Sequence, residues 1–227
     1  MYQERLTRSD GAVVWTRTVA DQPKVSRILP DGCIDIIWSD GQLFVAGPAS
    51  QAHLFRSRPN ASLVGIRFAP GTAPQVLGVP ALELLDRDVP LSALWRESAV
   101  RELSERIGTA RDPATELANL VRPAEVEPWV TALVAGVRRG QPISRLATEV
   151  AFSERQLHRR SLPLFGYGPK MLSRVLRLER ALHLARRGSG LAGAAAAAGY
   201  ADQAHLARDA KALAGVPMTE LLTGRHY

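Results

Sequence analysis

With 227 residues, one cysteine and no run of about 18 apolar residues, the chain has room for two modest cores but excludes an intrachain disulfide and a transmembrane helix. The lone Cys33 also excludes a zinc site built from several cysteines, and the N-terminal MYQERLTRSDG lacks the apolar stretch of a signal peptide. The net charge of +7 is divided unevenly: residues 1–135 carry 14 Lys and Arg against 16 Asp and Glu, whereas residues 136–227 carry 15 against 6.

These features lead to the expectation of a cytoplasmic protein with no membrane partner. The basic residues of the second part are nearly all arginines, which pair bidentately with phosphates and guanine edges. The C-terminal region is therefore expected to meet nucleic acid, with a solvated basic helical surface as the plain alternative.

Up to about residue 68 the apolar runs are short and β-branched. VVWTRTV (13–19), CIDIIW (33–38), QLFVA (42–46) and SLVGIRF (62–68) read as strands, separated by turn signals at PDG (30–32), SDG (39–41) and RPN (58–60). Alternation in CIDIIW places Cys33, Asp35 and Ile37 on one face and Ile34, Ile36 and Trp38 on the other. From PGTAPQVLGVP onward the period becomes helical. LSALW (91–95), SAVRELSERIG (98–108), PATELANLV (113–121) and PWVTALVAGVRRG (128–140) form an expected helical connector ending near Gly140.

The last segment contains two similar units. PISRLATEVAFSERQLHRR (142–160) reads as a helix, a turn and a second helix capped by Ser153. GLAGAAAAAGYADQAHLARDAKALAG (190–215) repeats the plan, with Gly199 and Tyr200 at the turn and Asp202 as the cap. Between them, PKMLSRVLRLERALHLARRG (169–188) is an amphipathic helix of roughly 27 Å, able to hold the two units about one DNA turn, roughly 34 Å, apart.

The stretches ISRLA, SERQLHRR, GYGPK with RLERALHL, and GYADQAHLARDAKALAGVP resemble the double helix-turn-helix domain of AraC-family transcriptional regulators, over about residues 137–224. ILPDGCIDIIW, the VAGP at 45–48 and the GIRFAPG at 65–71 resemble, more loosely, a sensor domain that precedes this module in a bacterial subgroup. The resemblance implies an α+β fold: an N-terminal β-rich cupin-like barrel or sandwich (residues 1–125, with trailing helices) and a C-terminal all-α double helix-turn-helix (residues 126–227). It implies double-stranded DNA as the partner, a small-molecule effector for the sensor, and no cofactor, metal or enzymatic activity. A homodimer is compatible with it.

Carried over by position, the family's base contacts fall on Arg155, His158 and Arg159 in the first unit and on Gln203, Ala204, Ala207 and Arg208 in the second. Arginine can grip guanine and glutamine adenine, whereas the alanines offer only methyl contacts. Solvated surface residues are the plain reading of Arg155 and His158, and an acidic partner that of Arg208.

Three departures matter. Ser161 and Ala210 replace aromatics that the family uses to seat each reading helix, and Ala151 replaces a glycine at the first turn. Pro163 follows within the first reading helix. Ser161 and Pro163 are expected to shorten and loosen that helix while Glu154 to Arg160 still enter a groove, with Leu162, Leu164 and Phe165 refilling the core. Two accounts stay open: a regulator with a repacked module, and a small-molecule binding or sequestering protein whose DNA-binding module is degenerate.

In the sensor, His53 is the only histidine before residue 158, which argues against a metal-dependent cupin site. Trp15, Trp38, Phe44, Phe55 and Phe68 are the candidates for lining a ligand pocket, with core packing as the plain reading of each. Cys33 reads as a small buried hydrophobe rather than a reactive thiol, and Asp35 as a partner of Arg67 or Arg27.

Overall fold

The computed structural model describes residues 2–7, 12–22, 24–120 and 126–223. Among the described residues, seven strands run in succession, β1 (Tyr2–Leu6), β2 (Ala12–Thr18), β3 (Lys24–Ile28), β4 (Ile34–Ser39), β5 (Gln42–Ala46), β6 (His53–Ser57) and β7 (Ser62–Phe68), and a short β8 (Asp88–Pro90) follows after the first helix. Six of them form an antiparallel sheet in the order β1-β2-β7-β4-β5-β8, and β3 pairs with β6 in a separate two-stranded sheet.

The alternation along β4 sorts the residues as expected. Ile34 and Ile36 enter the larger core, with Trp38 packed against it, while Ile37 joins Trp15, Val19, Ala61 and Leu63 on the opposite face. Ile36, Val45 and Ile66 are fully enclosed, each burial contributing about 1.5–3 kcal/mol. That core is covered by α1 (Ala73–Leu77), α2 (Glu97–Thr109) and α3 (Pro113–Ala118), together with 3-10 turns at Ala81–Leu84 and Leu91–Ala93. The helix expected over LSALW is only such a turn, since Leu94 and Trp95 both donate back to the Leu91 carbonyl. The helix expected over PATELANLV (113–121) ends earlier, at Ala118, where the Asn119 N–H closes back onto the Leu117 and Thr115 carbonyls; the expected domain boundary at residue 125 lies outside the described residues.

The C-terminal helices are α4 (Pro128–Arg138), α5 (Ile143–Glu149), α6 (Glu154–Phe165), α7 (Pro169–Arg186), α8 (Leu191–Ala198), α9 (Gln203–Ala214) and α10 (Met218–Thr223). The expected connector is not a separate body. Its helices α2 and α3 close the sensor core, whereas Val130, Leu133, Val134 and Val137 of α4 pack with Leu146, Leu157 and Leu172 in a second core. The two halves of α7 belong to different clusters: Leu172, Val175 and Leu176 to the second core, Leu178, Ala181 and Leu182 to a third built with α8, α9 and α10. Among the described residues no helix is long and apolar enough to cross a membrane.

Candidate nucleic-acid interface and sensor cavity

The two helix-turn-helix units close their turns with the same backbone hydrogen bond but cap their second helices differently. After α5 the chain turns through Ala151 at φ 56°, and the Phe152 N–H donates to the Ala147 carbonyl at 2.9 Å. After α8 it turns through Gly199 at φ 87°, and the Tyr200 N–H donates to the Ala195 carbonyl at 2.9 Å. Each second helix then starts on a side-chain cap. Ser153 Oγ accepts from the Gln156 N–H at 3.2 Å while Gln156 Oε1 accepts from the Ser153 N–H at 2.8 Å, a reciprocal capping box. Asp202 Oδ1 accepts from the His205 N–H at 2.6 Å.

All seven residues expected to face bases are exposed: Arg155, His158 and Arg159 on α6, and Gln203, Ala204, Ala207 and Arg208 on α9. Arg155, Arg159 and Arg208 make no ion pair with any described residue, so the acidic partner considered for Arg208 is not seen there. His158 stands somewhat apart, because its ring lies against Gly168 so closely that a Cβ there would come within 2.2 Å of Nδ1.

The expected shortening of α6 is corrected by the structure. α6 and α9 are both 12 residues long, and each ends on a left-handed glycine, Gly166 or Gly215. Pro163 lies inside α6 with its ring exposed, and the helix continues past it to Phe165. Ser161 is fully buried, and its hydroxyl donates to the Leu157 carbonyl at 2.7 Å, so it is satisfied within its own helix. Phe165 is buried in the second core and Leu164 packs against it, in the manner expected of a repacked module. Ala210 is likewise fully buried, beside Leu206, Leu213 and Tyr200.

Sequence reasoning missed what seats α9. Asp209, only 6% exposed, accepts from Arg174 Nε at 2.8 Å and Tyr200 Oη at 3.1 Å, and pairs with Arg177 Nη2 at 3.3 Å. Arg177 also stacks over the Tyr200 ring at 4.2 Å. In the first unit the matching turn residue is Phe152, with Arg160 stacked on it at 4.6 Å. Two arginines three apart on α7 and one aspartate on a reading helix were the available signal, but their meeting depends on tertiary packing.

The sensor holds a cavity of about 340 Å³ between its two sheets. Trp15, Phe44 and Phe55 line it, as do Ile37 and Leu63. Trp38 and Phe68, also expected there, are elsewhere. Phe68 is 1% exposed in the larger core on the far side of the sheet, and Trp38 packs against that core with Nε1 donating to Ser104 Oγ at 3.0 Å. Gly65 makes room for Trp15, its partner in the β2–β7 register, because a Cβ there would lie 2.2 Å from the indole ring. At the polar end, Arg67 grips the Asp35 carboxylate with Nε at 3.2 Å and Nη2 at 3.1 Å, from directly across the β4–β7 pair. Asp31 and Glu4 approach the same guanidinium at 3.6 Å and 3.7 Å.

Comparison with known proteins assigns the C-terminal part. Residues 146–224 match the family described as helix-turn-helix domain. Residues 146–224 are an AraC-type helix-turn-helix domain. Residues 12–90 match a family described as a domain of unknown function (DUF6597). No curated protein matches the chain. Among solved structures, ToxT from Vibrio cholerae is similar at 12% identity and a TM-score of 0.49, covering 98% of this chain and 99% of that one. A structure of ToxT with unsaturated fatty acid bound is similar at 10% identity and a TM-score of 0.47, again over 98% and 99% of the two chains.

The AraC-type domain is docked to the sensor by the C-terminal ends of both reading helices. At the end of α6, Phe165 packs on Gly71, and Gly166 lies against Pro48 and Ala81. At the end of α9, the Leu213 carbonyl accepts from the Ala52 N–H at 2.7 Å and the Ala214 carbonyl from Arg27 Nη1 at 3.0 Å. Arg27 lines the cavity as well, and so do Glu179 and Arg186 of α7. Burial pushes the Asp35 carboxyl up to about 6 despite Arg67, and holds the Glu179 carboxyl above its ordinary value. It also raises the Cys33 thiol well above its usual range, which agrees with an unreactive residue.

Proposed function

We propose that the chain is a cytoplasmic DNA-binding transcription regulator of AraC type, with residues 1–125 as sensor and residues 126–227 as the DNA-binding domain. One observation carries this reading. Two equal helices present Arg155, Arg159, Gln203 and Arg208 to solvent at their starts, in a region of strong positive charge, while their far ends are buried against the sensor. Reading in helix-turn-helix proteins is done from the N-terminal residues of the second helix, which here are the free ones. The 18-residue α7, roughly 27 Å long, sets the two units at a separation suited to successive major grooves. A single chain can therefore span both grooves, and a homodimer is not required for contact.

The cavity is proposed to take a small-molecule effector. Its walls include Arg27, bonded to the end of α9, and Glu179 and Arg186 on α7, so an occupant touches both domains at once. The sequestering alternative has no comparable support, since α6 retains its full length and its cap.

Duplex binding by the full chain, measured at low and moderate salt, tests the reading. Affinity should fall with salt at a log–log slope of about −0.9 per phosphate neutralised. Absence of duplex binding at low salt would replace the regulator by the sequestering protein.

A further inference from the structure

We propose that Glu154 is a base-reading residue of the first unit and that its partner is the amino group of a cytosine. The proposal rests on the DNA-binding reading of α6 and α9, and it names one base that α6 selects.

The first turn of each reading helix leaves few side chains free. In α6, Ser153 and Gln156 are engaged with each other in the capping box, and Leu157 is buried. In α9, Asp202 is engaged in the cap, the His205 ring stands edge-on to Tyr200 at 5.1 Å, and Leu206 is buried. What remains at the start of each helix is the same pair of positions: Glu154 and Arg155 in the first unit, Gln203 and Ala204 in the second. Glu154 and Gln203 are each the first helical residue after the cap, and both are exposed. Side chains at that end of a helix-turn-helix reading helix are the ones that reach base edges.

The charge of Glu154 points the same way. Residues 136–227 hold six acidic residues. Glu149 pairs with Arg145, Asp202 caps α9, Asp209 is gripped by Arg174 and Arg177, Glu179 lies at the cavity, and Glu220 belongs to α10. Glu154 alone of the six stands beside the exposed arginines of a reading helix, and it forms no hydrogen bond or ion pair with any described side chain, Arg155 included. A carboxylate is favoured at a helix N-terminus by the helix dipole. Yet α9 has no acid in its first turn and is as long as α6, so helix formation does not require one.

A carboxylate brought against phosphates is repelled unless a donor on the DNA offsets the repulsion. In the major groove the base-edge donors are cytosine N4 and adenine N6. Adenine N6 is flanked by the N7 acceptor of the same base, which opposes the second carboxylate oxygen. Cytosine itself presents no acceptor on that edge, so cytosine is the base that fits.

Glu154→Gln replaces the carboxylate by the amide that Gln203 carries at the matching position, with almost no change of shape. The full chain and this variant each select duplexes from a randomised pool at one ionic strength, and the selected bases are compared position by position. The wild type should favour cytosine over adenine by about fivefold or more at one position of one half-site. In Glu154→Gln that preference should be lost and adenine should gain, with the other half-site unchanged. Gln203→Ala should alter only that other half-site. A carboxylate that merely supported the helix would change the melting temperature and the affinity for all sequences alike, and would leave the selected bases as they were. An unaltered base profile in Glu154→Gln, a change confined to the half-site that Gln203→Ala alters, or the absence of cytosine at the affected position overturns the proposal while DNA binding stands. A full chain that selects no duplex at all overturns the regulator reading as well.

Discussion

Arg174 on α7 and Asp209 on α9 are joined at 2.7 Å, with the carboxylate 6% exposed and the guanidinium 41% exposed at their side chains. The pair seats the second reading helix on the rod that spaces the two units, and Tyr200 and Arg177 complete it. Breaking a buried pair by removing one partner usually costs about 3–5 kcal/mol, and the partial exposure of Arg174 lowers the figure here to roughly 2–3 kcal/mol. Asp209→Ala should lower the urea midpoint of the AraC-type domain accordingly. It should also weaken the α9 half-site more than the α6 half-site, which a footprint of the variant would reveal.

The left-handed position of each turn holds a different residue, Ala151 in the first unit and Gly199 in the second. Ala151 adopts the left-handed conformation that Gly199 adopts in the second unit, and a Cβ there costs about 1 kcal/mol or more. Ala151 is exposed and its neighbours need not move. Ala151→Gly should therefore stabilise the domain by about 1 kcal/mol, read as a raised melting temperature.

Ser161 and Pro163 should respond in opposite ways to substitution. Ser161 is fully enclosed, so Ser161→Phe forces extra volume into a filled site and should destabilise by about 1–3 kcal/mol. Pro163 is exposed in a helix interior, and Pro163→Ala restores a backbone hydrogen bond to the Arg159 carbonyl, for a gain of about 1–3 kcal/mol. Separate thermal melts of the two variants check the pair of signs.

Periodicity and turn residues made much of this architecture legible. QLFVA and SLVGIRF coincide with β5 and β7, and the strands expected around residues 13–19 and 33–38 are offset by one residue from β2 and β4. Strands β1, β3, β6 and β8 escaped notice because they lie outside the central strands and are polar or short: YQERL, KVSRI, HLFRS and DVP lack the apolar signal that burial imposes. The reading helices were legible because caps and apolar spacing are local. The cavity was legible only in part. Trp15, Phe44 and Phe55 were found by type, but Glu179 and Arg186 reach it only through docking of α7, nearly 150 positions away from Asp35 in the chain. Phe68 was misplaced because the face that an aromatic takes follows from register, which its own segment leaves open.

Acidity should act on the sensor through Asp35. Its carboxyl lies at about 6 in the folded protein against an ordinary 3.8, because burial outweighs Arg67. Between those values the native state holds a proton that the unfolded chain has released, so sensor stability falls as pH rises through that window. The slope is at most about 1.4 kcal/mol per pH unit for one proton. Urea unfolding on either side of the window should show this trend in the wild type and a flatter one in Asp35→Asn.

The central claim is that both reading helices enter DNA by their N-terminal turns, and hydroxyl-radical footprinting of the full chain on a selected duplex tests it most directly. Two protected patches on one face of the duplex should appear, about one helical turn or roughly 34 Å apart. Arg159→Ala should relax base preference in one patch by about 1–3 kcal/mol, and Arg208→Ala should do the same in the other. A single patch, or two patches indifferent to Arg155, Arg159 and Arg208, would contradict the account.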